Sequence, residues 1–111
     1  MRAPRRNAVG HPDGSPVATA RWRVAPYAER LAAKLERFAV LPEYRGRGLG
    51  RQLVAYVIRD VEAAGFPVQV LHAQAHLRSF YESLGFAAEG ELFMEAGIPH
   101  IKMVRTPGAS Q

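Results

Sequence analysis

The chain has 111 residues, 48% of them hydrophobic, with no cysteine and a formal net charge of +5. That length holds one domain with one modest core. The missing cysteine excludes a disulfide framework, a thiolate metal site and a thiol nucleophile, and no apolar run approaches the roughly 18 residues of a membrane span.

Residues 1–7 read as a basic tail; no apolar stretch follows them, so they do not make a signal peptide, and the expected location is cytoplasmic. Residues 7–11 and 17–24 read as a hairpin around Pro12-Asp13-Gly14-Ser15. Residues 26–33 read as a polar connection. Residues 34–41 read as a strand whose apolar positions are Leu35, Phe38 and Val40. From Leu49 to Ala64 the apolar positions 49, 53, 54, 57, 58 and 61 follow a helical period, stopped by Gly65 and Pro67. Residues 68–71 form a buried strand. Leu77, Phe80, Tyr81 and Leu84 mark a second helix over 75–84, ended by Gly85. Two strands follow, at 87–94 and 100–104, with a turn over Ala96-Gly97-Ile98-Pro99. The order β-β-β-α-β-α-β-β predicts a mixed sheet with packed helices, an α/β or α+β fold in a single domain over 1–111, its core about 15–104.

The most informative segment joins the third strand to the first helix: Val40-Leu41-Pro42-Glu43-Tyr44-Arg45-Gly46-Arg47-Gly48-Leu49-Gly50. A strand, a Gly-rich turn and a helix start form a cradle for phosphate. Glycines admit positive φ and close approach, and the unpaired N–H groups of the first helical turn face an anion. A Walker loop needs Gly-Lys-Ser/Thr, which is absent. A dinucleotide fingerprint needs G-x-G-x-x-G, and glycines at 46, 48 and 50 leave the last gap one residue short. Three arginines of this segment (Arg45, Arg47, Arg51) and three of the tail (Arg2, Arg5, Arg6) supply much of the positive charge. A polyanionic cofactor accounts for much of the excess, and a nucleic-acid partner is not expected.

Arg45, Gly48 and Gly50, preceded by Val-x-Pro, match the pattern Arg-x-x-Gly-x-Gly and resemble motif A of the GCN5-related N-acetyltransferases. Phe80-Tyr81-Glu82-Ser83-Leu84-Gly85-Phe86 resembles the second signature of that family, F-Y-x-x-x-G-F. Ala73-Gln74-Ala75-His76-Leu77 and Gly97-Ile98-Pro99-His100-Ile101 resemble the narrower ElaA-type group. The resemblance covers about residues 15–104. It implies an acyl-CoA N-acyltransferase fold that lacks an initial strand and helices, those helices usually forming one wall of the acceptor groove.

The resemblance implies acetyl-CoA as cosubstrate and direct acetyl transfer to a primary amine of a small molecule or peptide. The pyrophosphate would lie on Arg45, Gly46, Arg47, Gly48, Leu49, Gly50 and Arg51. The pantetheine arm would pair like an added strand with Phe38, Ala39 and Val40, and Gln74 stands where many members place an Asn on that arm. Tyr81 would be the general acid for the leaving thiolate; by itself it reads as a core aromatic. Glu36, sharing strand parity with Phe38 and Val40, is the candidate base, and reads equally as an edge-strand carboxylate. His72, His76 and His100 can each act near neutral pH, with His72 and His100 kept as candidate acceptor-binding residues. His72-x-x-x-His76 has metal-pair spacing but no third ligand beside it, so no metal is expected. Two carboxylates in the last hairpin, Glu91 and Glu95, hint at a cationic acceptor. The rival readings are a catalytically weak module of the same fold that binds CoA or a partner, and a nucleic-acid-binding basic domain. A homodimer would complete the missing wall.

Overall fold

The computed structural model describes residues 5–10, 16–40, 43, 45–46 and 48–107. The expected Asp13-Gly14 turn and Arg47 lie outside them. The elements are β1 (Arg5–Gly10), β2 (Pro16–Tyr27), β3 (Arg30–Val40), α1 (Leu49–Ala63), β4 (Gln69–Gln74), a 3-10 turn (Ala75–Leu77), α2 (Arg78–Glu82), β5 (Ala87–Glu95) and β6 (Ile98–Arg105). They build one six-stranded sheet in the order β1-β2-β3-β4-β6-β5. Only β3 and β4 run parallel, joined through α1, as a parallel pair requires a crossover. The mixed sheet with packed helices agrees with the expected fold class. Among the described residues no helix is long and apolar enough to cross a membrane.

Four boundaries differ from the sequence reading. Arg5–Asn7 belong to β1 rather than to a tail. Residues 26–33 are the tip of a β2–β3 hairpin, not a connection, because Tyr27 pairs with Arg30 across a two-residue turn in which Ala28 takes φ 52°. The last turn contracts to Ala96-Gly97, both at positive φ (52° and 74°), the backbone of a type I′ hairpin. Ile98 and Pro99 therefore join β6, and Pro99 sits beyond the last β4–β6 pair, Gln74↔His100, where no N–H is needed. The second helix divides into the 3-10 turn and a short α2.

The core lies between one sheet face and α1, whose buried stripe is Leu53, Val54, Val57, Ile58 and Val61. It meets Trp22 of β2, Ala33 and Leu35 of β3, Leu71 of β4 and Met103 of β6. The Trp22 indole N–H also donates to Asp60 at 2.9 Å, fixing α1 to β2. α1 ends in a Schellman motif: Gly65 at φ 90°, with Phe66 N–H on the Val61 carbonyl at 3.2 Å and Gly65 N–H on Glu62 at 3.0 Å. The opposite sheet face is polar. Cross-strand pairing puts Arg21 with Glu36, Arg23 with Lys34 and His72 with Lys102 there, around a small apolar cluster of Ala32, Val68, Val70 and Val104.

Candidate active site

The parallel pairing of β3 and β4 covers only Ala33↔Gln69 and Lys34↔Val70. Beyond it the strands part, while β3 stays paired to β2 through Ala18↔Val40 and Thr19↔Ala39. The β4-facing backbone edge of residues 37–40 therefore has no strand partner among the described residues. Two cavities fill the opening. One, of about 660 Å³, is lined by Phe38, Ala39, Arg45, Gly50, Gln74 and Tyr81 among others. The second, of about 390 Å³, holds Glu36, Phe38, His72, Gln74, Tyr81 and His100 among its lining. Phe38, Gln74, Leu77 and Tyr81 line both, so the two spaces meet at the tyrosine. Both volumes suit a small-molecule site.

The first cavity ends at the start of α1. Gly48 is the N-cap at φ 74°, in the left-handed region that glycine enters without strain. The first intrahelical bond runs from Gln52 N–H to the Gly48 carbonyl at 3.1 Å, so the N–H groups of Leu49, Gly50 and Arg51 precede the ladder, an anion-binding arrangement. Gly46 also has positive φ (79°). Arg51, expected as a phosphate cation, donates from Nη1 to Ser83 Oγ at 2.7 Å and ties α1 to the end of α2. Arg45 lines the same cavity. The backbone of Val40 is placed as described above.

A bulge rearranges β3. Register jumps between Thr19↔Ala39 and Arg21↔Glu36, leaving Arg37 and Phe38 opposite the single residue Ala20, and Arg37 takes φ 58°. Glu36 therefore does not share a face with Phe38. Phe38 packs with Leu35 against the helix-side core, three positions on, and its ring centroid lies 6.3 Å from that of Tyr81. Glu36 lies on the opposite face, where Arg21 Nε reaches Oε2 at 2.6 Å and Arg23 Nε reaches Oε1 at 3.0 Å. Partial burial alone would raise its pKa, but these two hydrogen bonds and their positive charges hold it below the ordinary carboxylate value. So held, the carboxylate is a weak proton acceptor.

Tyr81 is 7% exposed, enclosed by Phe38, Phe80 and Phe86. Burial pushes its hydroxyl up to about 12, so it stays protonated across neutral pH. The F-Y-x-x-x-G-F pattern has a local cause. Leu84 and Phe86 N–H both bond the Tyr81 carbonyl, at 3.0 and 3.1 Å, around Gly85 at φ 93°, which ends the helix and fixes the tyrosine. Behind it, buried Arg105 donates from Nε to the Leu84 carbonyl at 3.0 Å and from Nη1 to Glu62 at 3.2 Å.

His72 and His100 come together through a residue with no assigned role in the sequence reading beyond a hint of charge. Glu95 Oε1 lies 3.1 Å from His72 Nδ1, and its Oε2 lies 3.5 Å from His100 Nε2. His100 Nδ1 is 2.8 Å from the Ile98 carbonyl, which requires that nitrogen to carry the proton. Phe93 lies against both imidazoles. His76 lines only the first of the two cavities, and Glu91 lines neither. Among the described residues no group of three or more His, Cys, Asp or Glu could hold a metal.

The acetyltransferase (GNAT) domain family matches residues 14–107. BSU40680 of Bacillus subtilis (strain 168), an acetyltransferase by name, is 40% identical over 90 residues, 81% of this chain and 58% of that one. The uncharacterized N-acetyltransferase YjcF of the same organism is 32% identical over 91 residues, 81% of this chain and 62% of that protein. The chain thus spans about three fifths of these relatives' length. An acyl-CoA N-acyltransferase from Pseudomonas aeruginosa superposes with a TM-score of 0.84 at 30% identity, covering 96% of this chain and 70% of that one. Escherichia coli ElaA superposes at 0.78 with 31% identity, covering 95% and 70%.

Proposed function

Since this chain belongs to the GNAT acetyltransferase family, we propose that it binds acetyl-CoA in the cleft between β3 and β4 and transfers the acetyl group to a primary amine of a small molecule or peptide. The observation that carries this reading is the meeting of the two cavities at Tyr81: one runs to the Gly-rich helix start, the other to a group of acid–base side chains.

The pyrophosphate lies on the N–H groups at the start of α1 and on the arginines of the loop, Arg45 and Arg47, with Arg51 released from Ser83. The pantetheine amides pair with the open edge of β3 at Phe38, Ala39 and Val40, an added strand, and Gln74 closes on the arm from β4. A main-chain N–H of that edge polarises the thioester carbonyl. The amine nitrogen attacks the carbonyl carbon, its N–C bond forms, the oxyanion collapses and the C–S bond breaks. Tyr81 hydrogen-bonds the departing thiolate. With its pKa pushed to about 12, against about 8.5 for an ordinary thiol, the phenol stabilises the thiolate by donating a hydrogen bond more than by surrendering the proton. The proton lost by the amine passes on the other side of the cleft. Glu36 faces that side as a negative charge, and His100 Nε2 and His72, which line the same cavity, are the imidazole bases beside it.

The test is a calorimetric titration with acetyl-CoA of the parent and of Gly50→Glu. Gly50 lines the cofactor cavity, and an added Cβ meets nothing within 4 Å there. A carboxylate in a first helical turn also favours the helix. The variant should fold and repel the pyrophosphate. Micromolar binding by the parent that weakens at least about tenfold in the variant supports the reading; equal binding by both rules out the loop as the phosphate cradle.

A further inference from the structure

A third cavity, of about 230 Å³, lies on the polar sheet face beside the acceptor side of the cleft. Its floor is apolar, with Ala32 and Val70 buried at 1% and 7% exposure. Its walls carry Arg23, Lys34, His72 and Lys102, and no carboxylate lines it. The nearest acids, Glu36, Glu89 and Glu95, lie outside its lining but contact Arg23, Lys102 and His72. Glu36 takes Arg23 Nε at 3.0 Å, and Glu89 accepts from the Tyr27 hydroxyl while lying 3.6 Å from Lys102 Nζ. Lys102 in turn sits 4.7 Å from the Tyr27 ring centroid, so Tyr27, at the tip of the β2–β3 hairpin, holds that ammonium over the face. Lys34 makes no ion pair among the described residues. Three cations therefore line a space that no carboxylate lines, two of them, Arg23 and Lys102, also paired with a carboxylate outside it. Lys34 and His72 line the acceptor cavity as well, so the two spaces adjoin.

We propose that this cavity is an anion subsite of the acceptor, and that the amine acetylated carries a carboxylate or phosphate group a few bonds from its nitrogen. The amine then lies in the larger cavity, toward Tyr81 and Glu95, while its anionic end reaches Lys34, Arg23 and Lys102. The assignment of an acceptor rests on the acetyltransferase reading; the anion subsite itself does not. It also reverses the expectation of a cationic acceptor drawn from Glu91 and Glu95. Glu91 is outside both spaces, and Glu95 is already shared by two histidines.

The experiment is an amide-resolved NMR titration of the whole chain, with and without saturating CoA, using O-phosphoethanolamine, 6-aminohexanoate and 1,5-diaminopentane as probes. The parent is compared with Lys34→Gln and Lys102→Gln. Expected are shifts at residues 23, 34, 72 and 102 with one or both anionic amines, none there with the diamine, and roughly tenfold weaker binding in Lys34→Gln, the loss of one charge-assisted hydrogen bond. The two anionic probes separate phosphate from carboxylate. Calorimetric CoA affinity of Lys34→Gln should equal that of the parent. The proposal is overturned if the diamine shifts the same residues as strongly, if the anions perturb only the loop at 45–51 or nothing at all, or if both variants bind like the parent. Loss of CoA binding with the anion shifts intact would overturn the transferase reading and leave the subsite standing.

Discussion

Arg21 and Glu36 face each other across the β2–β3 ladder, the guanidinium Nε 2.6 Å from the carboxylate, at the residue where β3 leaves its regular register. The pair, with Arg23, explains why a residue one position before a bulge carries a depressed pKa. The sign follows from linkage. A carboxylate whose folded pKa lies below its unfolded value stabilises the fold above the unfolded value and loses that contribution as pH falls through the folded one. The parent should therefore lose thermal stability between about pH 5 and pH 2 more steeply than Glu36→Gln, which has no proton to take up there. Melting temperatures across that range check it; parallel curves would mean that the arginines do not hold the carboxylate.

Tyr81 gives the opposite pattern. Its hydroxyl, raised to about 12 by burial, contributes stability that is complete below the ordinary phenol pKa near 10 and is lost as pH rises through about 12. Tyr81→Phe should flatten that alkaline decline. In the transfer reaction it should lower kcat by about 100-fold, the lower end of the range for a positioned general acid, with the calorimetric Kd for acetyl-CoA unchanged. A matching rise in Kd would make Tyr81 a packing residue of the cofactor site.

Much of this site can be read from residue order. The α1 stripe repeats at helical spacing, and both the Gly-rich turn and the Phe-Tyr helix carry their geometry in local backbone needs, positive φ at Gly48 and at Gly85. The hairpin tip at Ala28-Glu29 is not legible, because a two-residue turn without Gly or Asn gives no turn signal. Nor is the bulge, since Arg37 at positive φ breaks the rule by which strand parity is counted. That one extra residue sends Glu36 and Phe38 to opposite faces. Where Glu95 and Lys34 fall in the site is not legible for a different reason. Their positions depend on the register of β5 on β6 and on where β3 and β4 part, which only long-range pairing sets.

Gly85 should be intolerant of a side chain on conformational grounds. At φ 93° it lies outside the common regions for L-residues, and Gly85→Ala should destabilise the chain by about 1–2 kcal/mol, read from denaturant midpoints. The same change should disturb the Leu84 and Phe86 bonds to the Tyr81 carbonyl, so activity should fall even where the protein remains folded. Full activity in a destabilised variant would separate the turn from the position of the tyrosine.

Arg51 poses a competition. In the free chain its Nη1 donates to Ser83 Oγ at 2.7 Å, and that hydroxyl donates on to the Phe80 carbonyl at 2.6 Å. A pyrophosphate at the start of α1 offers the guanidinium a charged acceptor in place of a neutral one, and the exchange gains only the difference between the two bonds. Arg51→Ala should therefore weaken acetyl-CoA binding by about fivefold, well short of losing a full ion pair. Ser83→Ala removes the competing acceptor and should change the Kd by no more than about twofold, toward tighter binding. Calorimetry on the two variants decides between this exchange and a purely structural bridge. If Arg51 only ties α1 to α2, both substitutions lower the melting temperature alike and neither moves the Kd.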